Sequence, residues 1–402
     1  MSTNTSAEMA ATPTRVITLL AMAAFVSSAN LRMCDPLLPQ IAGDLGVTVG
    51  GAAAVVTAFA LAYGLSQIAV GPLGDARGKL PVLVMGCLWA GIATIVGALM
   101  PSLAPLVLLR FLAGAGGAAI IPLAIAWLGD VIPYERRQPM LARFASGQIL
   151  GVVFGQAAGG AVGELIGWRA TMVLLGVCHI ATALLLMAEI RRATLGGSRR
   201  DRARWRDAAA LAASIVRRSW VRVVLIAIFL EGMIMYGAFA FVGAHLHHRF
   251  NIGFGTVGAF LATFGGGALC YSLNAGALVR RLGQSGLVAL GSVLLAVGYG
   301  TLGLMTTLWL APAAIMALGL GLYMLHNTLQ TVATQMAPEA RGLAISLFAF
   351  MLFGGQSAGV AMAAPVVDRY GAEPIFLVSA VALPLVALWF RWELVRHQVE
   401  GA

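Results

Sequence analysis

Charge is what this chain has least of. Only 10% of its 402 residues are Asp, Glu, Lys or Arg, against roughly 25% in a soluble domain. So few charges cannot cover a surface that faces water, which excludes a soluble globular protein. Lysine is almost missing: of 26 basic residues only Lys79 is not an arginine. Cysteine is scarce, and Cys34, Cys87, Cys178 and Cys270 stand singly in apolar runs with no CxxC pair. They are expected to be small packed hydrophobes, not a disulfide framework or metal ligands. Also absent are a Walker loop, HExxH, GxSxG and a dinucleotide fingerprint in a βαβ setting. We therefore expect no enzyme activity, no cofactor and no metal, and any work done must draw on an ion or solute gradient. The net charge of +10 comes with no nucleic-acid-binding motif, so nucleic acid is not an expected partner.

What the chain has is apolar length. Hydrophobic residues make up 60% of it, and a membrane-spanning helix needs about 20 mainly apolar residues. Twelve such spans are predicted, at residues 16–36, 50–71, 80–99, 103–128, 143–164, 170–189, 221–243, 255–279, 286–307, 309–333, 342–366 and 373–392. The first follows a polar stretch, lacks a small-residue cleavage site and is expected to be a retained helix, not a signal peptide. Basic residues gather on one side of this arrangement: Arg15, Arg77, Lys79, Arg136, Arg137, Arg143, the stretch 191–222, Arg280, Arg281, Arg341, Arg391 and Arg396. The other side and the helix interiors keep only Arg32, Arg110, Arg169, Arg249 and Arg369. That asymmetry predicts cytoplasmic termini and a multi-pass protein of a bacterial cytoplasmic (inner) membrane.

The one long polar segment, 191–222, divides six spans from six. It predicts a six-helix bundle over 1–190, an Arg-rich cytoplasmic linker over 191–220 and a second bundle over 221–402. The linker is read as a charged, topology-holding connection with DAAALAASIVRR as a short amphipathic helix, and its arginines can also meet anionic lipid headgroups. The halves repeat. GPLGDARGKLPVLVMG at 71–86 aligns without gaps on GALVRRLGQSGLVALG at 276–291, an offset of 205 that also carries Pro133 onto Pro338. Further on, FGQAAGG at 154–160 is similar to FGGQSAG at 353–359. Repeated halves are a recurrent plan of secondary transporters.

Several residues stand out against this apolar background. Arg32 and Asp35 are three apart on one helical face. A carboxyl placed between burial and a cation can exchange a proton as water access changes; the plainer alternative is an interfacial cap before Pro36. Arg110 lies inside an apolar run, where a lone charge costs at least about 2.5–3.5 kcal/mol, so either a function, a fixed ion pair or snorkelling to headgroups must account for it. Glu231 sits near the middle of the seventh span and is expected to carry a proton or touch substrate. Tyr323, His326, Asn327 and Gln330 share about two turns of the tenth span, which suits a polar solute site or a hydrogen-bonded helix contact. Gln156 interrupts a stripe formed by Gly147, Gly151, Gly155 and Gly159, which permits close helix packing. Asn274, Gln356, Tyr236 and Gln67 are further polar candidates. His245, His247 and His248 cluster beside Arg249, with no companion ligand to fix a metal.

The loop Gly71-Pro72-Leu73-Gly74-Asp75-Ala76-Arg77-Gly78-Lys79 resembles the loop between helices 2 and 3 of the major facilitator superfamily, G-x-L-[GAS]-D-[RK]-x-G-[RK]-[RK], with Ala76 and Leu80 where bases are usual. Arg110, Gly114, Gly116 and Ala118 match that family's helix 4 motif, R-x-x-Q-G-x-G-A-A, with Ala113 in place of Gln. The fifth span is similar to the exporter-associated helix 5 motif ending G-P-x-x-G-G, with Gln156 in place of Pro. The resemblance implies an all-α membrane protein of twelve helices in two pseudo-symmetric bundles, resembling the proton-coupled efflux permeases and usually working as a monomer. It implies a gate in which Asp75 closes onto helix 11 while Arg77 pairs with Asp130, aided by Gly71, Gly74 and Gly78. It associates Asp35 and Arg110 with proton coupling; by its depth Glu231 is expected to join them, and Arg32, Gln156, Tyr236, Tyr323, His326, Asn327 and Gln330 are expected about a small-molecule substrate. The expected function is proton-coupled efflux of a small organic solute; the alternatives are uptake of an anionic metabolite and a non-transporting sensor.

Overall fold

The computed structural model describes residues 14–132, 134–192 and 205–400, without side-chain detail at 14, 134–139, 142, 205–209 and 400. Pro133 and linker residues 193–204 lie outside the described residues. Everything regular among the described residues is helix. The spans are α1 (Arg15–Leu45), α2 (Val49–Arg77), α3 (Lys79–Ala98), α4 (Leu103–Val131), α5 (Arg143–Ile166), α6 (Trp168–Arg192) and α7 (Ser219–Phe250). A continuous run Phe254–Leu304 follows, then α10 (Leu308–Ala333), α11 (Pro338–Tyr370) and α12 (Glu373–Val399). A short helix, Trp205–Val216, lies in the segment between the halves.

The run Phe254–Leu304 is two helices. Gly283 has a left-handed backbone (φ 61°) inside it. Gly267 packs on Met316–Leu320 and Gly298 on Ala314–Leu318. Thirty-one residues of straight helix would separate those glycines by about 46 Å, so contact with one stretch of α10 requires a hairpin. We number its arms α8 (254–282) and α9 (284–304), which gives twelve crossings.

The duplication read from sequence is also geometric. Among the described residues, those with positive φ are Gly46, Gly78, Gly167, Asn251, Gly283 and Gly371. They form three couples, 46 with 251, 78 with 283 and 167 with 371, at offsets of 205, 205 and 204. Close contacts repeat as well. A Cβ on Gly114 would strike the Phe59 backbone, and one on Gly319 the Phe264 backbone. Gly155 rides on Ala29 and Gly159 on Met33, as Gly355 does on Phe229 and Gly359 on Met233. The α5 stripe thus climbs α1 in steps of four, Gly147 on Ala21 and Gly151 on Phe25 below these, because a row without Cβ atoms lets two backbones touch.

Both termini of the described chain lie on one side, here the terminal side; the opposite one is the far side. The halves meet from mid-membrane to the far side. Tyr63 packs on Phe353 with ring centroids 4.4 Å apart, Ser357 Oγ donates to Thr57 O at 3.2 Å, and Gly243 seats against the backbone of Asp35 and Pro36. One buried apolar cluster unites the second half with far-side residues of the first, including Met33, Leu37, Leu38 and Val55. Toward the terminal side the helices part: Gly71 and Gly342 face open space. The molecule is open on the terminal side and closed on the far side.

Candidate functional site

Arg110 is fully buried and every bond it makes stays in the first half. Its Nη1 donates to Asn30 Oδ1 at 2.6 Å, Nη2 to Asn30 O at 3.1 Å and Nε to Val55 O at 3.4 Å. The guanidinium also covers the Phe59 ring at 4.3 Å. Asn30 in turn donates to Thr94 Oγ1 at 2.9 Å, and Thr94 to Ala90 O at 2.7 Å. A buried guanidinium needs its N–H groups filled; α1 and α2 fill them, and Asn30 reaches on to α3, so Arg110 ties α1, α2, α3 and α4 together. The ion pair expected between Arg110 and Asp35 is not formed. Asn30 and two carbonyls have taken the guanidinium, and the cation within reach of Asp35 is Arg32, at 3.6 Å.

Asp35 is fully buried where α1 breaks into a 3₁₀ turn before Pro36. That turn sets the Asp35 backbone against Gly243 of the other half. Among the described residues neither of its oxygens has a hydrogen-bond partner, and neither amide atom of the adjacent, equally buried Gln156 has one. Arg32 bridges the halves: its guanidinium lies 4.2 Å above the Tyr236 ring on α7, with Tyr299 and Tyr323 close enough to feel its charge. Tyr299 donates to Met235 O and fixes α9 to α7.

On the second half Glu231 is also fully buried. One oxygen lies 3.0 Å from His326 Nδ1 on α10; the other has no partner among the described residues. His326 leans on Phe348 of α11. Tyr323, His326 and Asn327 are half-buried, and Gln330 is exposed, so exposure grows along this face toward the open terminal side. Gln356 on α11 is buried with both amide atoms unpartnered among the described residues. It stands to α7 as Gln156 stands to α1, at the offset of 200 that relates Gly155 to Gly355. Sequence singled out Glu231 and His326 separately, 95 residues apart; the fold joins them. The structure thus gathers Arg32, Asp35, Gln156, Tyr236, Glu231, Tyr323 and His326 at the junction of the halves and sets Arg110 apart. Gln67 donates to Ala118 O at 3.3 Å, and Asn274 turns back on its own helix at Cys270 O.

The rims differ. On the terminal side Asp130 pairs with Lys79, not with Arg77 as the resemblance implied: Gly78 ends α2 and swings Lys79, at the start of α3, toward the end of α4. Asp75 makes no hydrogen bond or ion pair among the described residues, and Gly74 packs on Leu123. On the far side two latches that sequence reading missed join the halves. Glu164 at the end of α5 accepts from Gly255 N at the start of α8 at 2.6 Å. Asp368 at the end of α11 accepts from Gly50 N at 2.8 Å and from the Thr48 hydroxyl at 2.7 Å, at the start of α2. A carboxylate at a helix N-terminus fills orphan N–H groups and meets the positive end of the dipole. The signal was available, since Glu164 and Asp368 are a repeat couple at an offset of 204.

Among the described residues no group of three or more His, Cys, Asp or Glu is placed to hold a metal. His245 faces Glu373 at 3.7 Å, while His247 meets Ile252 O at 2.8 Å and stacks on Phe254.

Comparison with known proteins agrees with this architecture. The sequence profile of the Major Facilitator Superfamily matches residues 20–360 and 224–400. A protein of Streptomyces lividans called "Chloramphenicol resistance protein" is 29% identical over 387 residues, covering 93% of this chain and 95% of that one. The MFS-type transporter YwfA of Bacillus subtilis is 26% identical over 367 residues, covering 90% and 87%. Among solved structures, a bacterial homolog of the human lysosomal transporter Spinster, in an inward-facing and occupied conformation, superposes with a TM-score of 0.77 at 17% identity, covering 96% and 97%.

Proposed function

The chain belongs to the Major Facilitator Superfamily, a family of transporters and not of enzymes, and from that premise we propose that it exports a small organic solute in exchange for protons by alternating access. The observation that carries the proposal is Asp35, a fully buried carboxyl with neither oxygen hydrogen-bonded among the described residues, 3.6 Å from Arg32. A carboxylate in a membrane interior whose oxygens accept no hydrogen bond is held by its single cation alone, whereas a protonated carboxyl is neutral and needs no such partner. The proton occupancy of such a group therefore follows what sits beside it and which side can hydrate it. Glu231, hydrogen-bonded to His326 on the opposite half, supplies a second carboxyl to the same interface.

In this cycle the bundles 1–190 and 221–402, joined by the linker 191–220, rock about a monomer's central site. With the termini in the cytoplasm of a bacterium, the state described is inward-open, ready to take up solute as protons leave. Tyr236, Tyr323, His326, Asn327, Gln330, Gln156 and Arg32 face that solute. The direction is supported by the relative named for chloramphenicol resistance. Uptake of an anion is less well supported, because Arg110 has its donors engaged and leaves Arg32 as the lone cation at the site.

The test is pH-gradient-driven solute exchange in everted vesicles, screened against an antibiotic and metabolite panel. Asp35→Asn and Glu231→Gln are expected to abolish gradient-driven transport while solute still raises the melting temperature of the purified protein. Unaltered gradient-driven transport in both variants would sink the mechanism. Accumulation of a carboxylated solute that is lost in Arg32→Gln would point to uptake instead.

A further inference from the structure

Away from the central site, a cleft of about 390 Å³ opens between α1 and α6 at the terminal side, lined by Arg15, Thr18, Leu19, Leu185, Ala188, Glu189 and Arg192. Its chemistry is layered. Arg15 begins the α1 span and Arg192 ends the α6 span, so both stand at headgroup depth. Leu19 and Leu185 lie one to two turns deeper, at the level of acyl chains. Both arginines are exposed, and neither is ion-paired among the described residues. A second cleft, of about 410 Å³ at the far side, is lined by Val297, Gly300, Thr301, Leu304, Met305 and Leu310 and holds no charge at all. The terminal-side cleft is thus a basic rim above an apolar floor on a membrane-facing surface.

We propose that this cleft binds one anionic phospholipid from the leaflet on the terminal side. The headgroup phosphodiester accepts from Arg15 and Arg192, and the first acyl carbons cover Leu19 and Leu185. Glu189, three residues before Arg192 and lining the same cleft, repels a second negative charge and so selects a singly charged headgroup. Two arginines and one glutamate leave one net positive charge for one phosphodiester to neutralise. The proposal is independent of what the central site transports.

Full-length protein in detergent, titrated with dioleoyl phosphatidylglycerol or phosphatidylcholine and read by native mass spectrometry, tests it. Wild type is expected to retain one phosphatidylglycerol and to bind phosphatidylcholine more weakly. An arginine near a membrane surface is worth roughly fivefold in affinity, so Arg15→Gln with Arg192→Gln should weaken retention about thirty-fold. Glu189→Gln should strengthen it several-fold, a reversal of sign that a folding defect cannot mimic. Arg280→Gln with Arg281→Gln, equally basic and on the same side, should leave it unchanged. The proposal is overturned if the cleft double variant retains lipid like wild type, if Glu189→Gln weakens retention, or if the Arg280 and Arg281 variant loses as much. Competition by glycerol 3-phosphate would overturn the lipid as occupant, since a headgroup alone makes no use of Leu19 and Leu185.

Discussion

Replacing Glu164 and Asp368 together by alanine should tip the protein toward opening on the far side. Glu164 holds one backbone N–H at 2.6 Å, and Asp368 holds a backbone N–H at 2.8 Å and a hydroxyl at 2.7 Å. An N-terminal helix cap is typically worth about 1 kcal/mol and its charge–dipole part 0.3–1 kcal/mol at an exposed site. Both carboxylates are exposed, where water and salt screen them, so we assign about 1 kcal/mol to each latch. The pair then gives about 2 kcal/mol, a shift of roughly thirty-fold in the ratio of the two states. Spin labels at Leu99 and Leu304, exposed far-side ends of α3 and α9, read the opening by double electron–electron resonance as a new, longer distance. Each single variant should move the populations by about fivefold. Asp75→Ala is the internal control: among the described residues Asp75 makes no hydrogen bond or ion pair and lies at the terminal end of α2, so its removal cannot loosen the far side and should shorten the mean distance if it shifts it at all. Distances unchanged in the double variant, or lengthened equally by Asp75→Ala, would refute the latch.

Asn30→Ala should lower the thermal midpoint of the purified protein by the equivalent of about 2–3 kcal/mol, because it strips a buried guanidinium of its 2.6 Å acceptor; Asn30→Asp, which keeps an acceptor for Arg110, should lose much less. Gly319→Ala forces a methyl group into the Phe264 backbone and should cost about 1–3 kcal/mol, measured by the same melt, whereas Gly342→Ala faces open space and should melt like wild type. Tyr236→Phe keeps the ring beneath Arg32 and should bind solute nearly as wild type, while Tyr236→Leu forfeits a cation–π contact worth about 0.5–2 kcal/mol and weakens binding accordingly; equal binding by both variants would remove Arg32 from the site.

The spans and their duplication were legible because each is a local property: apolar length fixes a crossing, and an offset of 205 is countable. The site was legible as a set of misplaced polar residues, but not as pairs. Nothing in the chain says that His326 meets Glu231, since that contact depends on how α7 and α10 pack. The pairing of Arg110 with Asp35 was misread for a similar reason. An asparagine within SSAN is unremarkable by itself, yet it is Asn30, not Asp35, that accepts from the guanidinium. The exchange of Arg77 for Lys79 at Asp130 turns on the backbone at Gly78 (φ 93°), which decides where the next side chain points. The latches escaped notice because acids at helix ends look ordinary until the repeat register is carried through to them.

Placed on the offset of 205, Asp75 falls on Arg280. The α2–α11 contact therefore has an acid at each extremity, Asp75 and Asp368, each able to face the partner's first turn. The α5–α8 contact has one, Glu164, and toward its other extremity both helices carry arginine, Arg143 on α5 and Arg280 and Arg281 on α8. Closing the terminal side would bring those like charges nearer one another, so one seam of the molecule would behave as a spring compressed only in the state closed on that side. Its stiffness is set by the ions around it, and raising salt should relax it even as the same salt loosens the exposed far-side caps. Ionic strength thereby becomes a dial on which face stays open, built into an interface that touches no solute.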